Sequence, residues 1–525
     1  MSVFSNVGGV RPRRSVFNLS YSKKFTADMG FLYPVMCDEL IPGDSFTISS
    51  RCIVRAMPLI APVMHNIKIK AEYFFVPYRL LWDDWETFIT KGVTGDVSLS
   101  APVWSEPYKN TDGQLILEAD RPTRTIHDFI NPSCPTGSYN DPEWTPSDFP
   151  RQAYNLIWNE YYRDQNLQSP LPLDRGPQTN NKIALRCWKK DYFTSALPWQ
   201  QRGTPPAIPI SGFTNAVYDN FYPDPGNIGS GMAPLLIRGH ANNVPSDGKF
   251  YSNVVSDAGE YRDAWKIAFN NNTVDLSNAS TFTPSDLRLA FQIQKWQERN
   301  SRAGIRYTEF LNSHFGVHPR DDRLQRPEFI GSFTQPLIIS EVVQTSESGT
   351  TPQGTLRGHA ISVDSGYVGK YYAQEFGLIM GLFSIVPDAN YFQGINRQWV
   401  RKTPFDYPFP EFVNLSEQAV YNYEVDATHP SPNTGKIFGY QGRFNELRYK
   451  ESTVHGLLRT TLKYWHLARD FESPPNLNND FVRCYPSKRI FAVPSEPGFI
   501  VDFANLIRAV RPIPISSEPG LIDHN

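Results

Sequence analysis

IKIKAEYFF, residues 67–75, puts Ile67, Ile69, Ala71, Tyr73 and Phe75 on one face of an extended chain and Lys68, Lys70 and Glu72 on the other. Side chains alternate across a strand, so a two-residue period predicts a half-buried β-strand and does not fit the 3.6-residue repeat of a helix. SFTISSRCIVRA (Ser45–Ala56) precedes it, with Pro58 and Pro62 between, and the two read as neighbouring strands joined by a rigid loop. Phe329–Val343 and Tyr371–Val386 are longer apolar stretches interrupted by Gly or Pro. FIVDFANLIRAV (Phe499–Val510) alternates again near the C-terminus. Strand patterns at both ends predict that the beginning and end of the chain pair in one sheet system.

Helical patterns lie between these strands. Arg79–Thr90 places Leu81, Trp85 and Phe88 on one stripe, and Arg151–Arg163 does so with Tyr154, Ile157 and Tyr161. Thr283-Pro284-Ser285-Asp286 carries the start signal, with Thr at the cap, Pro at the first helical position and Asp in the first turn. The helix it opens carries Leu289, Ile293 and Trp296 and should stop near Gly304, and a second run, Ile305–His314, should stop at Gly316. Regular strand–helix alternation is absent, so a doubly wound sheet is disfavoured. A mainly β jelly roll, a sandwich with long loops, a few helices and a large insertion, is the expected architecture.

The 525 residues suggest more than one unit. Residues 1–203 read as an N-terminal arm with the first strands and long loops, and 284–525 as helices with the remaining strands. The 204–283 stretch between them is rich in Gly, Pro, Asn and Ser with regular aromatics (Phe213, Tyr218, Tyr222, Tyr251, Trp265). It is too long for a plain loop and reads as an insertion with its own small core. The composition supports a folded chain: 44 prolines and 14% aromatics suit ordered loops pinned by large side chains, whereas disorder needs few aromatics and high net charge.

Net charge is −2, so the chain as a whole offers no electrostatic footprint for nucleic acid, and copies of it repel one another little. The five cysteines, Cys37, Cys52, Cys134, Cys187 and Cys484, are odd in number and widely spaced without a CxxC pair. Free buried thiols in a reducing cytoplasm are expected, not a disulfide framework or thiolate zinc site. The N-terminus has no apolar signal region, and the longest apolar run, Leu378–Val386, is too short to cross a bilayer.

Catalytic signals are few. Nucleophile-elbow, zincin and EF-hand patterns are missing. Gly366-Tyr367-Val368-Gly369-Lys370 has the wrong spacing for a phosphate loop. His314 and His318 stand four apart, but Gly316 and Pro319 oppose the continuous helix a metal pair would need. Asp321-Asp322, flanked by Arg320 and Arg323, reads as a surface ion network, since adjacent residues point to different sides. No catalytic residue, metal or cofactor is expected.

Two basic stretches are candidates for DNA contact. Arg11, Arg13, Arg14, Lys23 and Lys24 give five cations and no acid within residues 11–24, and with Pro12 they read as an extended arm. Such an arm suits phosphate contact or docking on acidic patches of a neighbouring copy. In Arg186–Gln200, the cations Arg186, Lys189 and Lys190 alternate with Trp188, Tyr192, Phe193 and Trp199. The aromatics there either stack on unpaired bases or form the core face of a strand, and core is the commoner outcome. Phe444–His466, with Arg448, Tyr449, Lys450, Arg459, Lys463 and Trp465, has the same character.

Long blocks resemble one family. RSVFNLSYSKKFTADMGFLYPVMCDELIPGD (Arg14–Asp44), APVMHNIKIKAEYFFVPYRLLWDDWETFI (Ala61–Ile89) and RCWKKDYFTSALPWQQRG (Arg186–Gly203) are similar to the major capsid proteins of gokushoviruses, single-stranded DNA phages of the Microviridae. So are QKWQERNSRAGIRYTEFLNSHFGVHPRDDRLQRPEFIG (Gln294–Gly331) and YQGRFNELRYKESTVHGLLR (Tyr440–Arg459). The resemblance implies an eight-stranded antiparallel jelly roll assembled into a T=1 icosahedral virion shell around circular single-stranded DNA. It further implies an internal scaffolding protein, a small basic DNA-binding protein, and an insertion that forms threefold protrusions and meets a host cell-surface receptor. It fixes no individual DNA-contact residue. A carbohydrate-binding or carbohydrate-active jelly roll is the alternative from a different class, because aromatic-rich sandwiches often bind sugars. Shell formation without glycan hydrolysis separates the two.

Overall fold

The computed structural model describes residues 13–93, 98–103, 125–130, 146–173, 182–203, 284–304, 306–343, 356–413, 417–429 and 435–516. Two antiparallel sheets face each other. One contains β1 (Ser15–Asn18), β2 (Tyr21–Ala27), β4 (Ser45–Ala56), β7 (Ile339–Val343), β8 (Leu356–Tyr372) and β14 (Phe499–Arg511). The other runs β3 (Tyr33–Leu40), β9 (Gly377–Pro387), β5 (Ile67–Pro77), β6 (Glu328–Pro336). The β-sandwich class is borne out. Among the described residues the sheets hold six and four strands, and the count of eight stays with the resemblance. Small pairings serve the loops: β10 (Asn390–Tyr391) with β13 (Ser452–Thr453), and β11 (Glu417–Tyr421) with β12 (Ile437–Gly442).

The pairing of chain ends is also borne out. β1 and β2 lie end to end along β14, whose other side pairs with β4 from Phe499↔Ala56 to Val510↔Ser45. The β4–β5 expectation is corrected: β4 and β5 belong to opposite sheets, so the Pro58–Pro62 segment crosses the sandwich instead of closing a hairpin. A two-residue period reports which side is buried, and it is identical for a strand beside its neighbour and one facing it. For the same reason Phe329–Val343 divides into β6 and β7 in different sheets, and Tyr371–Val386 divides between the end of β8 and β9.

In β5, Ile67, Ile69, Ala71, Tyr73 and Phe75 are all buried, as the alternation requires. β9 is buried at every position, because the helix Phe149–Ile157 packs over its second face. Polar groups join the sheets inside this core. The Tyr73 hydroxyl donates to Asn505 Oδ1 at 2.8 Å and shares a 2.8 Å bond with Ser50 Oγ, while Asn505 Nδ2 donates to the Val35 carbonyl at 2.9 Å.

Helix expectations fare unevenly. Residues 149–162 are helical, but the turn from Trp158 to Tyr162 widens to a π-helix. The continuous helix expected over 79–90 is corrected to a 3₁₀ turn, Tyr78–Leu80, and a short helix, Trp85–Thr90, with Leu81 and Trp82 anchoring the break in the core. Pro284–Ala303 is helical and Gly304 follows at φ 103°; the expected cap Thr283 lies outside the described residues. Leu289, Ile293 and Trp296 on that helix are 59%, 38% and 51% exposed, so the stripe does not make a buried core face. His314 lies in the last turn of the helix Tyr307–Phe315 and bonds Asn300 Oδ1 at 2.6 Å, with the left-handed Gly316 separating it from His318. Gly366–Lys370 lies inside β8 and forms no phosphate loop. The insertion's own fold, residues 204–283, lies outside the described residues.

Candidate assembly and nucleic-acid interface

The loops at one part of the sandwich are organised by a second apolar cluster. Tyr192, Phe193, Ala196, Tyr391, Val420, Val425, Phe438, Phe481 and Val482 form it, drawing on five distant segments. Arg186–Gln200 is therefore not a strand but a turn-rich segment whose Trp188, Tyr192 and Phe193 are buried. Those rings are unavailable for base stacking, as the core reading expected. Lys189 and Lys190 are exposed on the far side, and Lys190 contacts Asp164 and donates to the Thr194 carbonyl at 3.0 Å.

The N-terminal cations separate into different roles. Arg13 and Arg14 are exposed, with the Arg14 guanidinium 5.8 Å from the Tyr372 ring centre; Arg11 lies outside the described residues. The extended-arm reading of Lys23 and Lys24 is corrected: both sit in β2, paired with β14. Lys23 donates to the Phe129 carbonyl at 3.0 Å, and burial pulls its pKa below the usual lysine value. Lys24 faces outward, 3.4 Å from Asp502. A like-charged run in sequence thus ends up on two faces of one strand. The protrusion aromatics Phe213, Tyr218, Tyr222, Tyr251 and Trp265 lie outside the described residues.

The loops also form a cleft of about 1080 Å³ lined by Arg459, Lys463, Arg469, Arg483 and Arg489, with Trp188, Phe392, Phe471 and Tyr485 between them. Lys463 pairs with Asp470 at 2.7 Å and Arg483 with Asp480 at 3.5 Å. The other two deep arginines are held by neutral groups. Arg469 lies 3.9 Å from the Phe481 ring centre and donates to the Phe481 carbonyl at 2.7 Å. Arg489 spends its donors on the carbonyls of Lys463, His466 and Ala468, and burial lowers its pKa. A guanidinium stabilised by carbonyls and rings keeps its full charge, so with Asp470, Glu472 and Asp480 also in the lining the cleft stays cationic by five charges to three. Arg459 and Lys463 fall in a stretch the sequence reading singled out. Arg469, Arg483 and Arg489 do not, and their spacing carries no signal.

A separate loop, 395–413, is built of three 3₁₀ turns. Its anchors are buried carboxylates. Arg397 pairs with Glu424 at 3.2 Å and Arg401 with Glu446 at 2.9 Å, both acids nearly inaccessible. Burial pushes the Glu424 carboxyl up to about 7. Among the described residues the cysteines are free, and burial pushes the Cys37 and Cys484 thiols up to about 12, which makes them poor nucleophiles.

Comparison with known proteins fits this picture of loops built on a sandwich. The model of the phage family described as "Capsid protein (F protein)" matches residues 5–521. The chain belongs to this capsid protein family. The capsid subunit is 34% identical to "Capsid protein VP1" of Chlamydia phage 1, over 99% of this chain and 97% of that protein. It is 32% identical to "Capsid protein VP1" of Bdellovibrio phage phiMH2K, over 97% and 96%. With the same protein of Spiroplasma virus 4 it shares 29% identity over 99% and 97%. The gokushovirus resemblance stands: this is a structural component of a phage virion. No helix among the described residues is long and apolar enough to cross a membrane.

Proposed function

We propose that the capsid subunit closes into a T=1 icosahedral shell around single-stranded DNA and has no enzymatic role. The match across residues 5–521 carries this reading, because it spans the insertion and both flanking parts of the sandwich. Net charge of −2 supports a division of labour. The shell cannot neutralise a genome by itself, so a small basic protein inside the particle does, and an internal scaffolding protein guides closure. Local phosphate contact falls to the cationic cleft, with Arg459 exposed in its lining, and to Arg13 and Arg14. The 204–283 insertion is assigned to surface protrusions that meet the host receptor. Electron microscopy of the chain expressed with its scaffolding partner tests the reading. Closed spherical particles of one size are expected, and a monodisperse monomer under all conditions would refute it.

A further inference from the structure

Ile395, Trp399, Phe405, Tyr407, Phe409 and Val413 stand exposed along a single short loop, from 37% for Val413 to 76% for Trp399. Scaling full aromatic areas of about 150–250 Å² by these fractions leaves on the order of 600 Å² of apolar surface in water. That reaches the limit of the roughly 300–600 Å² patches that soluble monomers carry. It also approaches the roughly 800 Å² that each partner contributes to a standard protein interface.

The loop is preorganised. Asn396 accepts from the Gln398 amide at 3.1 Å and caps the first turn, and Asp406 accepts from the amides of Lys402 and Thr403 at 3.0 and 2.8 Å. Phe412 packs between Phe405 and Phe409 at 6.0 and 5.9 Å, and Pro404, Pro408 and Pro410 stiffen the backbone. The two arginine anchors pin the loop at its N-terminal side. Apolar groups held out in water by a rigid frame lose little entropy on docking, which is what a binding surface needs.

Charge indicates the occupant. Within the loop and its contacts, Arg397, Arg401, Lys402, Arg443 and Lys450 face Asp406, Glu411, Glu424 and Glu446, which is close to balance. Single-stranded nucleic acid needs a cationic groove beside its stacking rings, and this surface does not supply one. A protein surface of similar neutrality fits, and a near-neutral chain that builds shells presents such a surface in every copy.

We propose that the 395–413 loop is an intersubunit contact, with Trp399 and Phe405 seated on a second copy of this chain. This deepens the shell-forming reading and rests on it. Two experiments test it. In the first, Trp399→Asp combined with Phe405→Asp should give subunits with wild-type thermal unfolding and at least tenfold fewer shells by sedimentation; shells at wild-type yield overturn the proposal. In the second, hydroxyl-radical labelling of the wild-type chain needs no variant to fold. Labelling of Trp399 and Phe405 should drop several-fold from free subunits to shells, in DNA-free particles as in full ones. Equal labelling in both states overturns the proposal, as does protection already present in the free subunit, which would mean the chain covers its own loop. Protection confined to DNA-filled particles assigns the loop to nucleic acid and also overturns it. A wild-type chain that forms no shell at all removes the underlying capsid reading, an outcome distinct from an intact shell with an unprotected loop.

Discussion

Removing one oxygen atom from the middle of the sandwich should cost more than most surface changes. The Tyr73 hydroxyl bonds Asn505 Oδ1 and Ser50 Oγ, each at 2.8 Å, and Tyr73, Ser50 and Asn505 are all 0% exposed. Tyr73→Phe keeps the ring and its packing, so the lost transfer energy is small. What changes is that two buried polar atoms lose a partner in a place water does not reach. A buried group left unpaired costs about 1–3 kcal/mol, so stranding two of them should cost about 2–6 kcal/mol. Adding Ser50→Ala removes one of the stranded groups and should recover about 1 kcal/mol of that loss, a non-additivity that simple loss of contacts would not give. Urea unfolding of the unassembled subunit, followed by far-ultraviolet circular dichroism, measures both. A Tyr73→Phe variant within 0.5 kcal/mol of wild type would show that the two sheets are not held by this network.

Glu424 supplies a pH test. Burial raises its carboxyl to about 7, above the unfolded value near 4.5. A raised acid contributes stability that is fully present below about pH 4.5 and lost as pH climbs through 7. At about 1.4 kcal/mol per unit this amounts to roughly 3 kcal/mol. The stability of wild type relative to Glu424→Gln should therefore fall by that order between pH 4.5 and 8, whereas parallel curves would contradict it. For DNA, Arg13→Gln with Arg14→Gln, and separately Arg459→Glu, should lower genome retention in particles at moderate salt, with Lys23→Met as the silent control. A loss of retention from Lys23→Met matching the others would mean that the half-buried lysine reaches the genome after all.

Legibility differed by kind of feature. The alternation of Ile67–Phe75 and Phe499–Val510 marked strands and their buried faces correctly, because pleating and burial are written into every second residue. The helix stops at Gly304 and Gly316 were equally readable, since a left-handed residue after the last turn favours glycine. Sheet membership was not readable. Ser45–Ala56 and Ile67–Phe75 carry the same pattern whether they pair side by side or face each other across the core.

By itself, then, the sequence determined the β-rich class, the pairing of the chain's two ends, the family and the absence of a global nucleic-acid charge, since these depend on local periodicity, composition and long similar blocks. Only the tertiary structure decided that Lys23 is half-buried while Lys24 faces outward, that Arg459, Arg469, Arg483 and Arg489 share a cleft, and that the rings of 395–413 remain in water. Each of these depends on contacts between residues far apart along the chain, and such contacts leave no periodic trace in the order of the amino acids.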